Sequence, residues 1–179
     1  MEVSLSQNSL TLAALNGMEQ RDFSSALCSV FEHSVWVAED AFAARPFVSV
    51  GHLHQAMMDI VRQVSQEQQV ALLRAHPELA GREAREGTMT ADSTSEQGRL
   101  GFHALARDEL ARMTQLNRAY RDKFGFPCII ALRRHENRAS VFDEHEGRLA
   151  NDADTEISNC IEQVGFITRG RLDRLFAQP

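Results

Sequence analysis

A chain of 179 residues with 43% hydrophobic and 25% charged residues has the length and composition of one globular domain with a sizeable core, which excludes a disordered polymer. The formal net charge of -6, with arginines dispersed among acidic residues and no basic stripe interleaved with aromatics, excludes a nucleic-acid partner. No segment has the uninterrupted apolar length of a membrane span, Met1 to Leu10 lacks the basic start and apolar run of a signal peptide, and Phe176-Ala177-Gln178-Pro179 is no peroxisomal address; a soluble, cytoplasmic protein is expected.

Helical periodicity dominates, with strand alternation almost absent. In chain order the apolar spacing predicts helices over Met18 to Phe31, Ser34 to Ala44, Val50 to Val64, Gln66 to Ala75, Ser95 to Ala104, Arg107 to Phe124, Arg138 to Asn151 and Asp154 to Phe176. Pro46 ends the second of these, and Gly125 followed by Pro127 ends the sixth in the order of a helix C-cap. Cys128-Ile129-Ile130-Ala131-Leu132 is the one strand-like stretch. No linker, repeat or low-complexity segment divides the chain, so the expectation is an all-α, single-domain bundle of about eight helices over residues 1 to 179.

Cys28, Cys128 and Cys160 are odd in number, widely spaced and set in or beside apolar stretches, as reduced core thiols in a reducing compartment would be. There is no His-Glu-x-x-His, cysteine cluster, P-loop, dinucleotide fingerprint or nucleophile-elbow serine, and His52 and His54, two apart on a helix, point to different faces. No metal is expected. What remains is chemistry by positioned acids, bases and hydrogen bonds.

Two segments concentrate such groups. His76 stands before Pro77, which pushes it out of the helical region, so it is placed just past the end of the helix that includes Val70 to Ala75. The negative end of the helix dipole there favours imidazolium, which suits a proton donor near neutral pH; a histidine that merely satisfies helix-end carbonyls fits the same position. Twenty residues on, Ser93-Thr94-Ser95-Glu96-Gln97 has the Ser-x-x-Glu spacing of a capping box, and also the hydroxyls, carboxylate and amide that hold a polar ring at a helix start. The backbone from Cys128 to Leu132 could read a planar amide or could simply complete the core. Among Arg169, Arg171 and Arg174, one turned inward could pair with a carboxylate, although a solvated helix face explains all three.

The ordered set of motifs goes further than any one of them. Phe31-Glu32-His33-Ser34-Val35-Trp36-Val37-Ala38-Glu39, then Ala75 to Arg82, Ser93 to Gln97, Leu116-Asn117 to Tyr120, Lys123-Phe124-Gly125-Phe126-Pro127 and Arg171-Leu172 closely resemble the OHCU decarboxylase family over nearly the whole chain. The resemblance implies a cofactor-free, all-helical lyase, often dimeric, that converts the small molecule 2-oxo-4-hydroxy-4-carboxy-5-ureidoimidazoline to (S)-allantoin in urate degradation. It implies His76 as catalytic proton donor and Glu96 as its partner. Pro77, Ser93, Thr94, Ser95, Gln97 and the backbone of Cys128, Ile129, Ile130, Ala131 and Leu132 would line the substrate, with Arg171 as the anion contact and Arg169 its rival. Val35, Phe102 and Cys128 depart from the residues the family commonly has. A hydrolase or deaminase of another ureide, or a helical binding module, would use the same groups.

Overall fold

A computed structural model describes residues 10–177 and contains ten α-helices. They are α1 (Leu12–Gly17), α2 (Gln20–Ala26), α3 (Trp36–Ala41), α4 (Val50–Gln63), α5 (Gln66–Arg74), α6 (Arg82–Glu86), α7 (Ala91–Arg99), α8 (Arg107–Phe124), α9 (Arg138–Arg148) and α10 (Ala153–Leu175). Single 3-10 turns occupy Phe42–Ala44, Phe102–Ala104 and Leu132–Arg134. The fold is all-α. Most of the segment read for a signal peptide, and the last two residues, lie outside the described part.

The longest helix, α10, is the axis of the structure and packs on α4 and α5. Ile157, Cys160, Ile161, Val164, Thr168, Arg171 and Leu172 recur at three- and four-residue spacing and are all buried. From α4, His54 and Met58 meet Thr168 of α10, and Leu53, Met57 and Val61 are buried in the core. Side chains in the chain's own turns set the breaks: Ser49 accepts from the His52 N–H to start α4, and Ser65 with Gln68 forms a reciprocal cap that starts α5 directly after Val64. Gly125, at φ +79°, ends α8 in the left-handed conformation that glycine tolerates. No described helix is long and apolar enough to cross a membrane.

The structure corrects several predicted elements. The pattern over Met18 to Phe31 is only partly helical: α2 stops at Ala26, and Leu27, Val30 and Phe31 are buried in tight turns instead. Apolar spacing reports burial, and turns closed by i to i+3 bonds keep that spacing almost as well as a helix does. The helix predicted from Ser95 to Ala104 starts earlier and breaks at Gly101, whose φ of +72° separates α7 from a 3-10 turn. Cys128 to Ile130 are irregular in conformation and belong to no sheet. Cys128 and Cys160 are buried as expected, whereas Cys28 is exposed.

Candidate active site

His76 is held where the sequence places it, one residue beyond the C-cap of α5. Its backbone N–H bonds to the Leu73 carbonyl at 3.2 Å, and its ring Nδ1 lies 3.1 Å from the Leu72 carbonyl. A carbonyl only accepts, so Nδ1 carries the hydrogen and Nε2 presents a lone pair. Nε2 is buried without a hydrogen-bond partner. Burial works against the expected imidazolium: opposed by the charge of Glu32 and the Leu72 bond, it lowers the His76 pKa from 6.5 to about 4. Desolvation of a ring that is 8% exposed outweighs the helix dipole, whose effect is about 0.3 to 1 kcal/mol at exposed sites.

Helix α7 supplies the opposing groups. Its N-cap is Thr90, not Ser93; the Thr90 hydroxyl accepts from the Ser93 N–H at 3.3 Å, so Ser93 and Glu96 stand inside the helix and form no capping box. That register puts Ser93, Glu96 and Gln97 on one face, at i, i+3 and i+4, and they line a cavity together with His76 and Pro77. Thr94 and Ser95 point to solvent, and the Thr94 hydroxyl donates to the Thr90 carbonyl at 2.9 Å. Gln97 is committed to the loop after Pro77: its Oε1 accepts from the Ala80 N–H at 2.9 Å and its Nε2 donates to the Glu78 carbonyl at 3.1 Å. Ala80 has φ +48°, an unfavourable conformation for a residue with a Cβ, which the Gln97 amide helps to hold.

Arg171 of α10 organises this face from behind. Nε and Nη2 grip Glu96 in a bidentate pair at 3.0 and 2.9 Å, Nη1 donates to Glu32 at 2.8 Å and to the Ser29 carbonyl at 3.2 Å, and Nη2 also reaches the Ser93 hydroxyl at 3.2 Å. Every N–H of the guanidinium therefore has an acceptor. Glu32 receives the Thr90 hydroxyl at 2.7 Å and the Ser93 hydroxyl at 3.0 Å in addition. Burial pushes the Glu32 carboxyl up, but Thr90 and Arg171 more than offset this and hold it below the usual value. Burial likewise opposes the charge on Arg171, and the two carboxylates overcome it. Arg174, one turn beyond Arg171, donates to Asp92 at 2.9 Å and Glu96 at 3.1 Å. Arg169 points elsewhere, to Asp173.

The remaining wall is apolar: Leu79, Cys128, Ile129, Ile130, Leu132 and Ile167. Burial raises the Cys128 thiol well above its ordinary pKa, so Cys128 contributes bulk and not a thiolate. The backbone here is less free than the sequence suggests. The Ile129 carbonyl accepts from Arg148 at 2.6 Å, the Ala131 N–H donates to Gln163 at 2.8 Å, and the Leu132 carbonyl accepts from Arg99. Ala131 is buried behind the wall and does not reach the cavity.

Of the predicted site residues, the cavity thus brings together His76, Pro77, Ser93, Glu96, Gln97, Cys128, Ile129, Ile130, Leu132 and Arg171, and leaves Thr94, Ser95 and Ala131 outside. Sequence reasoning assigned no role to Glu32, Leu79, Arg133 or Ile167. Glu32 carries the only usable signal, a carboxylate inside the apolar run Val30 to Trp36, where a charge needs a partner.

A second buried histidine makes the fold itself pH-sensitive. His145 is fully buried, with Nε2 3.0 Å from the Asn117 side-chain oxygen, and burial lowers its pKa to about 4. Both histidines bind a proton more weakly folded than unfolded, so unfolding takes up protons between the unfolded value of 6.5 and the folded value of about 4. Stability present above pH 6.5 is lost as pH falls through that window. Thermal melts are expected to show a falling midpoint from pH 7 to pH 4.5, with a shallower slope in His145→Gln; an unchanged slope in that variant would exclude the assignment.

Comparison with known proteins places the chain in a family. The sequence profile described as OHCU decarboxylase matches residues 16–173. A 2-oxo-4-hydroxy-4-carboxy-5-ureidoimidazoline decarboxylase of Haloferax volcanii is 36% identical over 168 residues, which are 94% of this chain and 97% of that protein. Among solved structures, an (S)-allantoin synthase superposes with a TM-score of 0.72 at 30% identity, covering 93% of this chain and 54% of the other. An OHCU decarboxylase crystallised in the presence of (S)-allantoin shares the fold, with a TM-score of 0.66 at 19% identity over 86% of this chain and 99% of that one. With the profile spanning most of its length and a relative of this similarity aligned nearly end to end, the chain belongs to the OHCU decarboxylase family of carboxy-lyases.

Proposed function

We propose that this protein decarboxylates 2-oxo-4-hydroxy-4-carboxy-5-ureidoimidazoline to (S)-allantoin in the degradation of urate, with no cofactor. The carrying observation is that His76, whose buried Nε2 has no hydrogen-bond partner among the described residues, lines the same cavity as Glu96, whose orientation is fixed by Arg171. When the bond from the ring to the carboxylate breaks, its electron pair enters the adjacent ring C=N, which supplies the sink that a pyridoxal or thiamine group provides elsewhere. Carbon dioxide departs and a proton from water neutralises the ring nitrogen. The hydroxyl-bearing carbon then becomes a carbonyl as its hydroxyl proton leaves, and the neighbouring carbon that holds the ureido group gains one.

His76 is suited to both halves of that last exchange. Its free Nε2 accepts the hydroxyl proton and returns it to one face of the neighbouring carbon, which sets the S configuration. The resemblance implies a proton donor; the neutral ring makes His76 an acceptor first and a donor second. Glu96 accepts ring or ureido N–H groups, and the Ile130 peptide on the opposite wall offers backbone groups to the same amides. A cytoplasmic location and a homodimer belong to the same reading.

The test is to generate the unstable substrate in situ from urate and follow circular dichroism. Optically active allantoin is expected to form much faster than without the protein. Formation no faster than in the protein-free control sinks the proposal and leaves the binding-module reading, while consumption of a different ureide or hydantoin would identify the hydrolase or deaminase alternative.

A further inference from the structure

Three guanidinium groups line the cavity, and their hydrogen bonds separate them sharply. Arg171 is saturated, and Arg174 is held between Asp92 and Glu96. Among the described residues, Arg133 has only the Phe166 carbonyl at 3.3 Å and a long approach of 3.9 Å to Asp173, whose other oxygen is taken by Arg169 at 2.8 Å. The single carboxylate in the cavity wall, Glu96, is already shared by Arg171 and Arg174. Arg133 is therefore the wall's least compensated positive charge, and its side chain is half exposed.

Its position is built, not incidental. The 3-10 turn that carries it, Leu132–Arg134, is anchored by Arg99 of α7, which donates to the Leu132 carbonyl and, at 2.9 Å, to the His135 carbonyl. Across from it, α10 presents Gly170. A Cβ at that position would lie 2.6 Å from Arg133 Nη1 and 3.1 Å from Cζ, so the guanidinium rests on bare helix backbone where any side chain would push it away.

We propose that Arg133, seated on Gly170, is the subsite that captures the carboxylate of the incoming substrate, in place of Arg171; this rests on the decarboxylase reading above. The chemistry separates this role from catalysis. The carboxylate is anionic only in the ground state and leaves as neutral carbon dioxide, so a cation paired with it strengthens binding without favouring the transition state. The product allantoin is neutral and gains nothing from Arg133.

The experiment is calorimetric binding of hydantoin-5-acetate and of its neutral amide to the parent protein, Arg133→Gln, Arg133→Lys and Gly170→Ala. The parent is expected to prefer the acid, and Arg133→Gln to weaken the acid about fivefold to tenfold while leaving the amide unchanged. Gly170→Ala should lose part of the preference by displacing the guanidinium, and Arg133→Lys should retain part of it. In the coupled assay, Arg133→Gln should raise KM and kcat by similar factors, leaving kcat/KM within about twofold and inhibition by (S)-allantoin unaltered. Equal binding of acid and amide by the parent, or parallel weakening of both in Arg133→Gln, overturns the subsite. A parent that discriminates acid from amide but turns nothing over would overturn the decarboxylase reading and leave the subsite standing.

Discussion

His76→Ala is expected to lower kcat/KM for decarboxylation by roughly 10²- to 10⁴-fold, the range that a positioned general acid or base contributes, while the protein remains folded. Only one side-chain hydrogen bond, to the Leu72 carbonyl, is lost, and that carbonyl lies at a helix end that the His76 and Ala75 N–H groups already help to close. The pH profile carries the finer test. With the His76 pKa lowered to about 4 by burial, the required neutral ring persists in mildly acidic solution. The acid limb of kcat/KM should therefore fall near pH 4 to 5 instead of near 6.5, and should vanish in the residual activity of His76→Ala. A parent rate that climbs as pH drops through 6.5 would show that imidazolium starts the reaction and would reverse the proton order proposed here. Near-normal activity in His76→Ala would reduce His76 to a helix-end residue.

The charge of His76 shows where sequence reading ends. The chain position of His76 follows from Pro77 and the apolar helix before it, and that inference holds. The protonation state depends on burial of the ring and on the charges of Glu32, Arg171 and Glu96 around it, residues up to 95 positions distant in the chain. Ser93, Glu96 and Gln97 illustrate the same boundary at shorter range. Starting α7 at Ser93 makes Glu96 a capping residue; starting it at Thr90, another good capping residue, turns the three inward and sends Thr94 and Ser95 to solvent. Two competing caps three residues apart are nearly equivalent locally, and contacts distant in sequence separate them: Thr90 and Ser93 both donate to Glu32, and Ser93 also accepts from Arg171. Arg171 stood in the sequence as one of three arginines that a solvated helix face explains equally well, and only the resemblance singled it out. Whether an arginine is free for a ligand depends on how many acceptors surround it, and four residues from two other segments fill this one.

The second large effect expected is on stability, at Arg148. Its guanidinium is 8% exposed and donates from Nε at 2.9 Å to Glu156, which is fully buried, and from Nη1 at 2.6 Å to the Ile129 carbonyl on the cavity wall. Glu156 also receives the Tyr120 hydroxyl, and Asn151 and Asn159 at 2.7 and 2.9 Å. Burial raises the Glu156 carboxyl, but Arg148 and these donors outweigh it and keep it ionised. Arg148→Met leaves that buried carboxylate without its counter-ion, a loss of about 3 to 5 kcal/mol for pairs of this kind. At roughly 2 to 4 °C per kcal/mol for a domain of this size, the melting midpoint should fall by about 10 °C.

Two further results separate this ion pair from simple loss of bulk. The deficit of Arg148→Met should shrink as pH falls, because a Glu156 deprived of its cation becomes neutral at a higher pH than the paired one, and the neutral acid needs no partner. Removing both charges, in Arg148→Met with Glu156→Leu, should recover much of the lost stability, since apolar groups of similar volume tolerate burial. That double variant still lacks the donor to Ile129, so its melting midpoint should approach that of the parent while its kcat/KM stays low. Recovery of activity together with stability would mean that the Arg148 bond to the cavity wall is dispensable, and that Cys128 to Leu132 is positioned by Gln163 and Arg99 alone. If instead stability returns without activity, the buried pair links the core to the site: the same guanidinium that neutralises Glu156 fixes the strip of backbone facing His76.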